Sequence, residues 1–455
     1  MRRTCRGLLL AAMLLAVLAL SGCGGMPKLT FNPQDLYSLP TLPTKYTELN
    51  KQLSAILESG AEYAAPSAGT DIQPVQLVDL DGDGRSEAVA FFRDPTAEKP
   101  LKIYIFTAAG DSYQQTGLIE GSGTAIYSIN YQDLDGDGRM ELAVGWKAAV
   151  NLQVLEVYAL RPFGPELLLS TNYVKYTIAD LDQDQRQDLV VLRADDEGGS
   201  VADYYRWQED GKLTAQSSAR VSASMAELSQ QGRVTRGMLQ GEVPAIFVTG
   251  VTEMSRAITD ILAVRNGELS NIVLSETTGV SGEIAPYRSL YPADINGDGL
   301  TEVPHPTPLS SAADEEETYL QIDWLSYDET GAAETVLRTY HDLEDGWYLQ
   351  MPETWDGQIS VQRTTAPNEA AVTFYMRESR GQAPEPFLQI AAITGASREV
   401  KAVRGNRFLL SRRQPETIYT AELLDANSRW AYGVTADEVR SAFSLILPEW
   451  TAGDK

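Results

Sequence analysis

The chain has 455 residues, with 63 Asp and Glu against 37 Lys and Arg, two His and two Cys. A formal charge of −26 argues against a nucleic-acid partner, since phosphate binding needs clustered Lys and Arg. Two histidines argue against His-based zinc sites and a Ser-His-Asp triad, and an apolar share of 43% over this length predicts two to four folded domains, not an acidic disordered tail.

Met1–Arg6 carries three arginines and Leu8–Leu20 is an unbroken apolar run. That run is too short for a bilayer span but has the length of a signal-peptide core. It ends in Leu20-Ser21-Gly22-Cys23, which resembles a bacterial lipobox. The resemblance implies a signal peptide over 1–22, acylation of the Cys23 thiol, and a membrane partner reached through that lipid. Cys5 would leave with the signal, so no free thiol would remain. The alternative is an ordinary signal peptide with an incidental cysteine. No later stretch is long and apolar enough to cross a membrane.

Residues 23–43 contain Pro33, Pro40 and Pro43 and read as an extended tether. Tyr46, Leu49, Leu53, Ile56 and Leu57 then fall at helical spacing before Gly60. They predict one amphipathic helix over Thr44–Glu58, packed on the next domain, within a lead-in segment 44–70.

From residue 71 the chain repeats itself. Asp79-Leu-Asp81-Gly-Asp83-Gly-Arg85-Ser-Glu87 recurs as Asp133-Leu-Asp135-Gly-Asp137-Gly-Arg139-Met-Glu141. It returns as Asp180-Leu-Asp182-Gln-Asp184-Gln-Arg186-Gln-Asp188 and as Asp294-Ile-Asn296-Gly-Asp298-Gly-Leu300-Thr-Glu302. The starts lie 54, 47 and 114 residues apart, and 114 is two periods of 57, so a degenerate copy is expected near 237. Gly237–Val248 lies there, without the acids. A period of about 50 residues points to a propeller or another repeat array.

Oxygen ligands at positions 1, 3 and 5, a backbone carbonyl at 7 and a carboxylate at 9 can wrap one hard cation, and glycines at 4 and 6 permit the tight turn. Calcium suits this better than magnesium, because it accepts six to eight oxygens in flexible geometry. An EF-hand would need Glu at position 12, where Ala90, Val144, Val191 and His305 stand, and the flanking Val75–Val78 and Ala88–Phe92 read as strands. Each repeat therefore predicts strand, metal loop, strand, turn, strand, turn, strand, which is one propeller blade. Gln183 and Gln185 replace both glycines of the third loop, so the weakest calcium is expected there. Asn296 removes one charge from the fourth. Fifteen of the acids fall in these four loops, which makes part of the net charge a cation requirement. The ions are expected to be structural, since nothing nucleophilic recurs beside the loops.

At these residues the chain resembles the FG-GAP/VCBS repeat family, which includes the β-propellers of integrin alpha chains. The resemblance covers about 71–340 and implies calcium that staples a hairpin within each blade. Four clear loops and one degenerate copy predict five units, where relatives commonly close with seven.

Beyond residue 340 the acidic loops stop. Trp347–Met351, Ile359–Arg363, Ala370–Arg377, Phe387–Ile393, Arg407–Arg412 and Thr417–Leu423 read as strands. Thr435-Ala-Asp-Glu438 is a capping-box pattern, followed by an apolar helical face of Val439, Ala442, Phe443 and Ile446. Residues 341–455 are thus expected to form a small α+β domain, the alternative being further blades. Gly346–Trp355 resembles the opening of small α+β domains appended to Firmicutes surface lipoproteins. The fold class expected is mainly β: a calcium-loop β-propeller of five or more four-stranded blades, then the small α+β domain.

His305, between prolines, and His341 are expected to be structural. Most of the seven Trp and 21 Tyr are expected in the core or on the sheets, and Asp314–Glu317 in a solvated loop. No nucleophile elbow, Walker loop, dinucleotide fingerprint or His-Glu-x-x-His is present. The function expected is that of a non-enzymatic, calcium-stabilised, lipid-anchored extracytoplasmic protein that binds a protein or glycan through its propeller. The alternative is an extracellular carbohydrate-active enzyme with carboxylate catalysis in the propeller depression. The acids best placed for such catalysis are already committed as metal ligands.

Overall fold

Alternating apolar residues, short β-rich runs and Gly- or Asp-containing turns leave this chain one economical solution, antiparallel meanders packed face to face. The computed structural model describes residues 46–110, 112–208, 211–286, 289–313, 319–377, 383–413 and 416–446. The expected lipobox with Cys23, the tether and the acidic run Asp314–Glu317 lie outside the described residues. Contacts divide the chain into Met1–Ala55 and Ile56–Lys455. A helix forms over Thr47–Glu58, with Leu49 and Leu53 buried at the spacing the sequence predicts. Among the described residues, no helix is long and apolar enough to cross a membrane.

Among the described residues, six antiparallel sheets follow. The first contains Val75–Val78, Glu87–Arg93, Leu101–Ala109 and Ser112–Gly121, with the short Glu62–Tyr63 added beside Glu87–Arg93. The second runs Ala125–Gln132, Glu141–Ala149, Leu152–Arg161, Gly164–Tyr173, and the third Lys175–Ala179, Asp188–Ala194, Ser200–Trp207, Leu213–Arg220. In these three the expected order of strand, acidic loop and three further strands holds. The fourth, Arg233–Leu239, Val243–Val251, Arg256–Arg265 and Glu268–Asn271, replaces the acidic loop by a tight hairpin over 240–242. It is the degenerate copy expected near residue 237.

The fifth sheet departs from the pattern at its start. Its acidic loop is preceded only by an isolated bridge between Ala293 and Glu302; the next hydrogen-bonded pair would be Tyr291 with Pro304, which has no N–H to give. Val303–Leu309, Tyr319–Tyr327, Ala333–Asp342 and Trp347–Gln350 follow, and Phe443–Leu445 returns from near the C-terminus to pair with Trp347–Gln350. The sixth sheet holds Ile359–Ala366, Glu369–Met376, Glu385–Ile393, Thr417–Leu423 and Phe408–Arg413, in that spatial order. The boundary expected at 340 falls inside Ala333–Asp342, and the C-terminal region completes the fifth sheet while building the sixth. The expected helix is present at Ala436–Ala442, opened by the Thr435–Glu438 capping box. It stops before Phe443, whose φ of −90° and ψ of 132° start the returning strand, so Phe443 and Ile446 do not lie on the helical face expected of them.

One irregularity recurs. The register shifts between Ile105 and Phe106, Val157 and Tyr158, Tyr204 and Tyr205, and Trp324 and Leu325. In each case the second residue pairs with the residue just after loop position 9: Ala88, Leu142, Leu189 and Val303. The sixth sheet repeats the shift between Phe374 and Tyr375. A bulge at a constant register imposes the same extra twist on those five sheets; the fourth pairs Val243–Val251 with Arg256–Arg265 without a shift.

Neighbouring sheets share cores. Val89, Phe91, Ile103, Ile126, Leu142 and Trp146 join the first to the second. Val157, Tyr173, Leu189 and Val191 join the second to the third, and Val190, Leu192, Ile246 and Leu262 the third to the fourth. Phe247, Ile261, Val303 and Tyr327 join the fourth to the fifth. Tyr340, Trp347, Trp355, Phe374, Phe387 and Tyr419 form one core between the fifth and sixth.

Candidate metal loops

Each loop is built from its own side chains inward. Position 1 organises the turn. Asp79 accepts the N–H groups of Gly82 and Gly84 at 2.9 Å each, Asp133 those of Gly136 and Gly138, and Asp294 those of Gly297 and Gly299. Position 3 accepts from the N–H of position 5, through Asp81, Asp135, Asp182 and Asn296. Position 5 accepts from position 7, where Arg85, Arg139, Arg186 and Leu300 donate to Asp83, Asp137, Asp184 and Asp298. Position 9 reaches back, since Glu87, Glu141, Asp188 and Glu302 accept the N–H of Leu80, Leu134, Leu181 and Ile295. The third loop differs only at position 1, where Asp180 accepts the N–H of Gln185 and its Oδ1 has no partner.

Position 2 is the anchor. Leu80, Leu134, Leu181 and Ile295 are buried and plug the loops into the cores below them. Their backbone carbonyls carry a ladder that joins loops across blades. Met140 N–H donates to Leu80 O at 2.8 Å, Gln187 N–H to Leu134 O at 3.2 Å, and Thr301 N–H to Met238 O at 2.9 Å. Each rung runs from position 8 of one loop to position 2 of the loop before. Met238 is position 2 of the degenerate copy, so that copy keeps its place in the ladder without its acids. The remaining rung is not made because Pro244, at position 8 of the degenerate copy, has no N–H. Gln183 bridges the gap instead, its side-chain amide donating to Glu242 O at 2.9 Å.

This stacking distinguishes two glycines of one loop. Gly82 has φ of +74°, and a Cβ there would lie 2.5 Å from Gly138 O. Gly84, at φ +83°, faces open space. Gly84→Ala is expected to cost about 1–2 kcal/mol, the left-handed penalty alone. Gly82→Ala should cost clearly more, because the second loop must also move; urea denaturation of the two variants measures the difference.

The donor set fits a hard cation. Carboxylate oxygens of Asp79, Asp81 and Glu87 lie within 4.8 Å of one another, as do those of Asp133, Asp135 and Glu141, and of Asp180, Asp182 and Asp188. In the fourth loop Glu302 is fully buried and its Oε1 has no hydrogen-bond partner. Burial raises Glu141 to about 7, helped by Asp135, Asp137 and Asp133 and opposed by the Leu134 N–H. Burial with Asp298 and Asp294 lifts Glu302 likewise to about 7, against the Ile295 N–H. Burial also lifts Asp188, to about 6, and raises Glu87. A cation would stabilise carboxylates crowded and buried this way as anions.

The third loop differs. Gln183 and Gln185 occupy the glycine positions at φ of 61° and 72°, left-handed geometry that is strained for a residue other than glycine. Arg206, from the third strand of the same sheet, lays its guanidinium on Asp182 and, at 2.8 Å, on Asp184.

A second recurring acid escapes sequence reading. Glu156, Asp203 and Asp260 each stand 23 residues after a loop start, and Asp323 takes the same cross-strand register. All are partnered: Glu156 by Trp146 Nε1, Asp203 by Arg193 and Ser218, Asp260 by Ser222 and Asn271, Asp323 by Arg338. The spacing of 23 was the available signal, but no local motif surrounds it. His305 lies 3.6 Å from Glu283, which raises its pKa. Burial takes His341 down to about 3, so it is neutral, stacked on Tyr348. Neither histidine is brought to the loops' carboxylate clusters. Trp146, Trp207, Trp324, Trp347 and Trp355 are buried, in keeping with aromatics as core.

None of the curated proteins compared with the chain matches it. The family model of the FG-GAP-like repeat matches residues 79–144, which span the first two acidic loops and the strands between them, and it is to that repeat that this part of the chain is similar.

Proposed function

We propose that this protein is a non-enzymatic, calcium-stabilised, lipid-anchored extracytoplasmic protein that binds a protein or glycan partner through its propeller. The observation that carries the reading is the loop set: the same oxygen donors are rebuilt in successive blades, and all of that recurrent chemistry addresses a cation. The second recurring acid is engaged by Arg, Ser, Asn and Trp partners, which supports a scaffold role over catalysis. The match to the FG-GAP-like repeat supports the propeller, and the lipobox pattern at Cys23 supports the anchor. In this reading calcium supplies structural cross-linking. Asp79, Asp81, Asp83, Glu87 and their counterparts in the second and fourth loops hold it, with the carbonyls of Arg85, Arg139 and Leu300.

The test is a pulldown with the mature chain, with and without chelator, together with intact mass measurement of the membrane-extracted protein. Calcium-dependent capture of one partner and a lipid mass on Cys23 are expected. Turnover on a panel of glycans, abolished by one carboxylate substitution outside the loops, would replace the binder with the enzyme. An unmodified Cys23 in the mature protein would remove the anchor.

A further inference from the structure

We infer that the third loop takes no calcium because Arg206 supplies its cation from within the chain, leaving the protein at most three ions, at the first, second and fourth loops. The inference rests on the calcium reading proposed above for those other loops. Its basis is contact. Nη2 of Arg206 touches Asp182, at position 3, and lies 2.8 Å from Asp184, at position 5. These are two of the three acidic positions that crowd within the loop turn itself, and a guanidinium is permanently charged and makes directed bonds to carboxylates.

The register shows that this arginine is particular to one blade. Arg206 follows Tyr205, which pairs with Leu189 just after position 9. The residues in the same place are Thr107 in the first sheet, Ala159 in the second, Ala263 in the fourth and Ser326 in the fifth. None of them carries a charge or reaches as far. The loop that has lost both glycines is therefore the one that has gained a cationic side chain. Its position 4 is committed as well, since the Gln183 side chain is turned to Glu242 O in the next hairpin. Asp180 Oδ1 is buried without a hydrogen-bond partner. A divalent ion entering there would meet the fixed positive charge of Arg206. The ladder explains why the loop is retained. Its position 8 must still donate to Leu134 O to hold the second blade, and Arg206 keeps it closed whether or not calcium is present.

Native mass spectrometry and hydrogen exchange of wild type and Arg206→Thr, in calcium and in chelator, test this. Wild type is expected to bind no more than three ions and to keep its protection over 180–188 on chelation, while the first and second loops lose theirs. The variant, given the residue of the first blade, is expected to bind one ion more and to make 180–188 calcium-sensitive. Four ions on wild type, or loss of protection over 180–188 on chelation, overturns the inference. So does a folded variant whose ion count is unchanged. If the variant does not fold, the wild-type exchange pattern decides. If no loop responds to calcium, the reading of the other loops fails instead. Arg206 is then judged in chelator alone, where faster exchange over 180–188 in the variant supports its role and unchanged exchange overturns it.

Discussion

Chelating calcium is expected to lower the melting temperature of this protein by on the order of 5–10 °C, and more at pH 8 than at pH 5. A ligand present at a hundredfold its dissociation constant stabilises a site by about 2.7 kcal/mol, and on the proposed reading the first two loops alone would offer two such sites. The pH dependence follows from the buried acids. In the calcium-free fold Glu141 and Glu302 titrate near 7 and Asp188 near 6, all raised above their unfolded values by burial and neighbouring carboxylates. Between about pH 4 and 7 the native state therefore binds more protons than the unfolded chain, so stability falls as pH rises through that window. Calcium binds the deprotonated carboxylates, so its contribution grows over the same range. Thermal melts in calcium and in chelator at several pH values measure both effects. A melting temperature indifferent to calcium at pH 8 would remove the metal reading.

Trp355→Ala is expected to cost about 3–5 kcal/mol, the range for deleting a large buried aromatic. Trp355 is 2% exposed, packs on Phe374, Phe387 and Trp430, and donates its Nε1 to Tyr432 O at 3.0 Å. Its core contains side chains of both the fifth and sixth sheets, and Phe443–Leu445, which follows the sixth sheet in the chain, pairs in the fifth. The loss should therefore lower the unfolding midpoint of both sheets together. Denaturant titration followed by tryptophan fluorescence and by far-ultraviolet circular dichroism should show coincident transitions. A separate early transition confined to residues beyond 340 would mean that those residues fold as an independent unit.

The acidic loops were legible because their chemistry is local. Nine consecutive residues hold the donors and acceptors that close each turn from within, so spacing alone located positions 1, 3, 5, 7 and 9 and marked Gln185 as strained. The period located the degenerate copy as well, and Thr301 N–H bonded to Met238 O shows that copy in register. The arrangement beyond residue 340 was less legible. Its strands were expected at nearly the right places, but a strand sequence does not name its neighbour, and Phe443 suits a helix face or a short edge strand equally well.

By itself, then, the sequence determined the repeat, the turn geometry and the concentration of charge in four loops, since each depends on residues within one turn of chain. The tertiary structure decided how that charge is answered. Arg206 lies 22 residues from Asp184, the ladder joins loops about 50 residues apart, and Phe443–Leu445 crosses back nearly 100 residues to Trp347–Gln350. Such contacts exist only once cross-strand pairing has set the register. Part of the −26 is thereby an internal matter between Arg206 and the third loop.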